Sequence, residues 1–295
     1  MKNVAAYALL GLVWLLHWLP LPLLALLGRG FGLLLHAVGG ARRRVALRNV
    51  ALCFPELNAP QQAALVREHF QWLGRSLLER GVLWHASRER LKRLIQVEGE
   101  PRFAEGHKGA VMWLAPHFLG IEIAGMATQL YQQRTGFDVY APQSNAVLDA
   151  ALLAGRGRFG TAEFFTRSDG ARAIVRAIRR GLVFFNPPDM DFGLRDAAFV
   201  PFFGQPAATL LAPSRLAKSL AMTVQPVVAD MLPGGQGYRV RFLPPWTDWP
   251  TDDPLADAAR MNSFIEQQVR LHPAQYFWVH KRFKTRPEGA PPVYD

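Results

Sequence analysis

The chain of 295 residues contains a single cysteine, Cys53, so it can form no intramolecular disulfide and has no cysteine cluster to hold a metal. A lone thiol suits a reducing compartment. Its arginine-rich, helix-patterned setting reads as that of a small packed side chain rather than a nucleophile. The Gly-x-Ser-x-Gly elbow of serine hydrolases is missing, and the eight histidines are scattered with no His-Glu-x-x-His pair. Neither a serine-hydrolase mechanism nor a zinc site is indicated, and no cofactor or metal is expected. Acidic residues are scarce, 23 against 34 lysines and arginines, for a net charge of +11, yet 50% of the residues are hydrophobic. Very basic soluble proteins are generally poor in apolar residues, so the partner is both anionic and greasy. A nucleic acid would explain the charge and leave the apolar excess unexplained, whereas an anionic lipid surface explains both. A membrane is therefore expected as partner and nucleic acid is not.

Charge is absent altogether from residues 3–28, where Leu, Val, Ala and Trp dominate over a length that a bilayer-spanning helix requires. His17, Pro20 and Pro22 interrupt the run and predict a kink, or two shorter segments, near Leu19. The run is longer than a signal-peptide core and its only basic lead is Lys2, which favours an uncleaved anchor over residues 1–40. Arg29, Arg42, Arg43, Arg44 and Arg48 follow it, so the charge bias places the body of the protein on the cytoplasmic side.

Residues 41–295 read as a single α/β domain, with 41–95 a helical lead-in. Leu65, Phe70, Leu73, Leu77 and Leu78 recur at three- and four-residue spacing, the mark of amphipathic helix. From about Val97 short apolar strands alternate with helices. Strands are expected at 109–115, 137–141, 162–165, 182–186, 224–229 and 238–242, and helices at 118–133 and 169–180. The last strand is expected to run antiparallel to its predecessor after the Pro233-Gly234-Gly235 turn. Such alternation makes a layered α/β sheet flanked by helices.

Three segments carry candidate chemistry, each just past an expected strand end, the edge at which open α/β sheets bind ligands. In Pro116-His117-Phe118-Leu119-Gly120-Ile121-Glu122, the imidazole can act as a base near neutral pH, and Glu122 can accept its other N–H. A spacing of five turns about 140° on a regular helix, so His117 must lie in the loop before the helix for the two to meet. The alternative is a helix cap beside a solvated acid. Arg167, in Phe165-Thr166-Arg167-Ser168, stands at a helix start where backbone N–H groups and a guanidinium make an anion site; it reads equally as a surface arginine beside an N-cap serine. Asp189 and Asp191, in Asn186-Pro187-Pro188-Asp189-Met190-Asp191-Phe192-Gly193, can bind a cation, orient a polar head group or simply cap turns. A fourth segment, residues 275–287, interleaves aromatic and basic side chains. It suits a lipid interface, stacking on bases, or a buried aromatic strand end with a basic rim.

Taken together, these elements resemble the lipid A biosynthesis acyltransferases, the late acyltransferases of Gram-negative bacteria. The resemblance runs through the anchor, Arg44-Val45-Ala46-Leu47-Arg48-Asn49 with Phe54-Pro55, the His117 to Glu122 box, Arg167, and Asp189-Met190-Asp191-Phe192-Gly193. It continues in Met261-Asn262-Ser263-Phe264-Ile265-Glu266, Pro273-Ala274-Gln275-Tyr276-Phe277-Trp278 and His280-Lys281-Arg282-Phe283-Lys284-Thr285-Arg286-Pro287. It implies a glycerolipid-acyltransferase-like mixed sheet, an acyl-acyl carrier protein donor, and an acceptor hydroxyl on a hydroxyacyl chain of a lipid A precursor. It also implies that His117 and Glu122 are the catalytic pair, with Arg167, Asp189 and Asp191 serving the substrates. Many members carry Asn before the histidine and Trp before the acid, where this chain has Pro116 and Ile121. The Glu-Gly-Thr-Arg-like motif of glycerol-phosphate acyltransferases is absent, and Asp189 to Gly193 stands in its place in the order.

Overall fold

A computed structural model describes residues 2–294. The apolar amino terminus is not one helix. α1 (Lys2–Leu16) ends before Pro20, and α2 (Leu21–Val38) begins behind it, with proline in its first turn where a missing N–H costs nothing. The break falls where the prolines predict it and moves the membrane-length helix from the start of the run to α2, the one described helix long and apolar enough to cross a bilayer.

Four helices lead into the sheet: α3 (Gly40–Cys53), α4 (Ala59–Leu78), α5 (Arg80–His85) and α6 (Arg88–Leu94). α4 starts on a capping box in which Asn58 and Gln61 satisfy each other's backbone N–H groups. Its contact with α2 is unusually close. A Cβ on Gly32 would lie 2.0 Å from the Phe70 carbonyl oxygen, and one on Gly74 would lie 2.2 Å from that of Gly28. These glycines let two backbones touch, so α2 is packed on the body of the protein along one side.

The sheet contains β1 (Ile95–Gly99), β2 (Val111–Leu114), β3 (Gly136–Tyr140), β4 (Ala162–Thr166) and β5 (Val183–Asn186), with β8 (Thr223–Met231) and β9 (Tyr238–Phe242) from later in the chain. Its order is β1-β9-β8-β2-β5-β3-β4. β8, β2, β5, β3 and β4 are parallel, while β9 runs antiparallel to β8, as the Pro-Gly-Gly turn predicts, and pairs in parallel with β1. The short α7 (Phe103–Gly106) leads into β2. The connections α8 (Ile121–Tyr131), between β2 and β3, and α9 (Ala146–Arg156), between β3 and β4, step outward. α10 (Gly170–Arg179) returns from β4 to β5. Because parallel crossovers are right-handed, reversing the direction puts α10 on the opposite face from α8 and α9. The packing agrees: Ile123, Met126 and Ala127 of α8 lie against Trp113 and Val183, whereas Ala177 and Ile178 of α10 lie against Phe137 and Phe184.

A hairpin of β6 (Ala197–Phe202) and β7 (Gln205–Leu210) stands apart from the main sheet, followed by α11 (Ala212–Ser219); α12 (Pro254–Leu271) covers the hairpin late in the chain. The expected α/β sheet with flanking helices is thus observed, while β1, the hairpin, α9 and α11 are additions to what periodicity predicts.

The carboxyl-terminal aromatic and basic segment is core. Trp278 and Phe283 are buried, and buried Arg282 donates to the Ala208 carbonyl at 2.8 Å and the Thr209 hydroxyl at 3.0 Å. Asn49 donates to the Trp278 and His280 carbonyls, each at 2.7 Å, and Asn262 donates to the Pro201 carbonyl and the Thr209 hydroxyl. Three distant parts of the sequence are joined there. Gly32→Ala is expected to lower stability by about 1–3 kcal/mol through overpacking. Gly30→Ala, whose added Cβ meets nothing within 4 Å, should be neutral or stabilising in the helix. Thermal midpoints of the two purified variants give the comparison.

Candidate active site

β2 and β5 are neighbours, so the loops that follow them meet at the same sheet edge. The Ala115 N–H donates to the Asn186 carbonyl at 3.0 Å, and a step further on the two chains diverge. The first carries His117 and the second Asp189. Pro116 has no N–H to orphan in this buried approach, and its carbonyl accepts from the Phe118 N–H at 2.7 Å, a tight turn about His117. The turn is fastened to the carboxyl-terminal segment: the Leu119 N–H donates to the Gln275 carbonyl at 2.8 Å and the Phe277 N–H to the His117 carbonyl at 3.0 Å.

His117 pairs with Asp189, not with Glu122. Its Nδ1 lies 2.7 Å from Asp189 Oδ1, and its backbone N–H donates to the same carboxylate at 3.0 and 3.1 Å. The expected hydrogen bond from the imidazole to Glu122 is not formed. α8 begins at Ile121, so Glu122 sits in its first turn and points across to α9. There Arg156 Nη2 donates to Glu122 Oε1 at 2.5 Å and Arg156 Nε to Oε2 at 3.0 Å, while Arg80 stands 3.9 Å away. The remaining arm of Arg156 reaches Asp138 Oδ2 at 3.4 Å.

Burial pushes the Asp189 carboxyl upward, but the His117 imidazole beside it and the hydrogen bonds it accepts outweigh that and hold it below the ordinary carboxylate range. Asp189 is therefore ionised. Facing a carboxylate, Nδ1 carries a proton, and Nε2 has, among the described residues, no protein partner. The exposures match these roles: the His117 side chain is 22% exposed and that of Asp189 1%.

Asp191 faces away. Its carboxylate accepts from the Thr285 N–H at 2.6 Å, the Thr285 hydroxyl at 2.7 Å and the Gly193 N–H at 3.0 Å, so it ties its loop to the carboxyl terminus and has little capacity left for a head group. Its N–H donates to His280 Nε2 at 3.1 Å. Burial and the nearby His117 lower the His280 pKa to about 4, so this neighbour is neutral at physiological pH. Arg167 is exposed at the rim, 3.9 Å above the Phe192 ring, and takes no part in the His117 or Glu122 pairs.

A cavity of about 790 Å³ opens at this edge. His117, Glu122, Asp138, Arg156 and Arg167 reach it, and apolar walls come from both sheet faces, from Leu83, Trp84 and Met126 on one and Ile174 and Leu216 on the other. No serine or cysteine lines it. Cys53 is buried elsewhere, where burial pushes its thiol well above the ordinary range. Among the described residues no three metal-ligating side chains converge.

A residue sequence reasoning missed is Arg156, at the end of a helix one crossover beyond Glu122. A carboxylate in the first turn of a helix that packs on the next crossover helix is the signal that could have found it. Asp138 was missed as well. Burial raises its carboxyl to about 6 despite Arg156, with Glu122 adding to the rise, and its Oδ1 has no partner.

The sequence pattern of the family described as bacterial lipid A biosynthesis acyltransferase matches residues 1–285. The chain belongs to this family. It is 34% identical to the lipid A biosynthesis lauroyltransferase of Escherichia coli (strain K12) over 97% of its own length and 93% of that protein. It is 33% identical to the palmitoleoyltransferase of the same organism, covering 97% and 92%, and 31% identical to its myristoyltransferase, covering 91% and 82%.

Because the folded-state pKa of Asp138 lies above its ordinary 3.8, its neutral form is favoured by folding, and its ionised form costs stability as pH rises through about 6. Asp138→Asn cannot titrate. The stability of this variant relative to the parent should therefore rise between pH 4 and pH 7, measured as the difference of denaturation midpoints at each pH; a difference that stays flat contradicts the assignment.

Proposed function

We propose that this acyltransferase moves a fatty acyl chain from acyl-acyl carrier protein to a hydroxyl of a hydroxyacyl chain on a lipid A precursor, at the cytoplasmic face of the inner membrane. The observation that carries the chemistry is the His117–Asp189 pair with a free Nε2 at a deep, apolar-walled cavity. His117 Nε2 takes the proton of the acceptor hydroxyl as the oxygen attacks the thioester carbonyl. Asp189 holds the ring and stabilises the imidazolium. The tetrahedral intermediate collapses with cleavage of the C–S bond, and the leaving thiolate recovers the proton from the imidazolium. A cavity lined by no serine or cysteine supports direct transfer, without a covalent enzyme intermediate.

Glu122 acts in this reading through Arg156. It fixes the guanidinium against the cavity wall, where a positive charge favours anionic substrate groups and the developing oxyanion. Arg167, at the rim, meets an acceptor or donor phosphate. Asp191 supports the loop that presents Asp189.

Residues 1–40 serve as the anchor. Leu26, Leu34 and Val38 of α2, and Leu9, Leu12 and Leu15 of α1, are exposed, a grouping that supports contact with lipid. α1 packs on α5 and α9, which sets the lipid beside the cavity so that a membrane-borne acceptor can enter. The relatives' names, which speak of lauroyl, palmitoleoyl and myristoyl transfer, support the substrate class.

Mass spectrometry of lipid A from cells lacking the chain is expected to show the loss of one secondary acyl chain. The parent gene restores it and His117→Ala does not, although that variant still sediments with membranes. Asp189→Asn, which favours the wrong tautomer, should lower kcat by about 10²–10⁴ with KM little changed. Full activity in either variant would overturn the mechanism.

A further inference from the structure

α10 carries an arginine ridge that the chemistry above does not use. Arg172, Arg176 and Arg179 follow one another at spacings of four and three, which places them on one helix face, and all three are exposed. The opposite face of the helix is apolar, with Ala177 and Ile178 buried. Among the described residues none of the three has an acidic partner within ion-pair distance, whereas Arg180 next to them is paired with Glu163 at 2.7 Å. Arg176 and Arg179 lie in the last turn, where the helix dipole favours a cation, but Arg172 in the first turn is disfavoured by it and like charges three and four apart repel, so the stability of α10 does not account for the whole ridge.

Its position is informative. Ala171 and Ile174 of the same helix line the cavity, as do the exposed Arg167, just before the helix start, and Arg195, in the loop after β5, neither with an ion-pair partner among the described residues. The basic strip therefore leads from open surface to the cavity mouth. It also projects from the sheet face opposite α9, on which α1 packs. The exposed side chains of α10 are alanine and arginine, with no large apolar group among them. A helix lying in a lipid interface interleaves basic and bulky apolar residues. A ridge of charge alone fits an acidic protein surface, and such complementarity governs encounter and apparent affinity rather than the chemical step.

We propose that Arg172, Arg176 and Arg179 form the docking ridge for the acidic carrier protein that presents the acyl thioester, with its prosthetic arm entering the cavity past Arg167 and Arg195. This rests on the carrier-borne donor of the preceding section. The donor then arrives from the α10 face and the lipid acceptor from the α9 face, and they meet at His117.

The test uses the full-length enzyme in detergent micelles with the triple variant Arg172→Glu, Arg176→Glu, Arg179→Glu, assayed with acyl-acyl carrier protein and with the same acyl chain on pantetheine. The expected result is a KM for the carrier-borne donor raised by about tenfold or more, with kcat within about twofold and the rate on acyl-pantetheine unchanged. Added salt should raise the parent's KM for the carrier and leave that of the variant nearly flat. The triple lysine variant should retain most of the parent's affinity. An unchanged KM for the carrier overturns the proposal, as does an equal loss with both donors. Loss of binding to phosphatidylglycerol vesicles with normal carrier kinetics overturns it by assigning the ridge to the membrane. A parent enzyme that uses acyl-pantetheine but never the carrier-borne donor refutes the donor reading itself, a result distinct from any property of the variant.

Discussion

The Asp189 carboxylate accepts both the backbone N–H and the ring Nδ1 of a single residue, His117, and the geometry of the site depends on that grip. A buried carboxylate without partners would take up a proton or disrupt its surroundings. Here the partners come from a loop that is itself too short to have a fixed shape of its own. Each side makes the other possible: the aspartate orders the turn at His117, and the turn supplies the donors that keep the aspartate ionised. The Tyr276 hydroxyl adds a smaller share, so the carboxyl-terminal segment takes part in the same balance. This is why residues far apart in the chain answer to one another: Asn49 and Asn262 hold the carboxyl-terminal segment and the β6–β7 hairpin, and that segment holds the turn.

A second charged group sits across the cavity and is built on the opposite plan. Arg156 lies between Glu122 and Asp138, with Arg80 behind, so burial sets two carboxylates against two guanidinium groups. Burial raises Glu122, but Arg156 and then Arg80 outweigh it and hold that acid below its ordinary range; Asp138, with the weaker contact, goes the other way. Two acids on one arginine are thus driven apart in proton affinity by a difference of geometry. The ionised one fixes the guanidinium, and the other stands with an unpartnered oxygen at the cavity wall.

How much of this was legible in the sequence follows from how local each signal is. β2 and β5 are continuous apolar runs ended by proline, so both strands and the loops bearing His117 and Asp189 could be placed from the chain alone. β1 could not: Gln96 and Glu98 interrupt it, and it is a strand because it pairs with β9, more than a hundred residues away. The candidate residues could be picked out as types at a strand edge, but their pairing could not. Glu122 looked like the partner of His117 because it is close in sequence. Asp189 is the partner because β5 lies beside β2, a fact of sheet order that no spacing encodes. Arg156 was hidden for the same reason, since its role comes from α9 packing beside α8. The aromatic and basic carboxyl terminus was open to several readings from composition, and the buried partners of Arg282 decide for a buried aromatic end, with Lys281 and Lys284 left exposed as its rim.

The sheet order also sets what surrounds His117. The chain moves outward from β2 to β4 and then turns back to β5, and that reversal puts α8 and α9 on one face and α10 on the other. It also opens a gap at the sheet edge, which the cavity fills from both sides. The apolar helix α1 lies against α9, and the charged ridge lies on α10, so the same topological step separates an apolar surface from a basic one. Ile121 lines the cavity, and Pro116 brings no N–H into the buried approach to His117. The turn at His117 is held by its backbone hydrogen bonds and by Asp189, not by the side chains at 116 and 121. Its geometry therefore depends on the pairing of β2 with β5, which brings the two loops together.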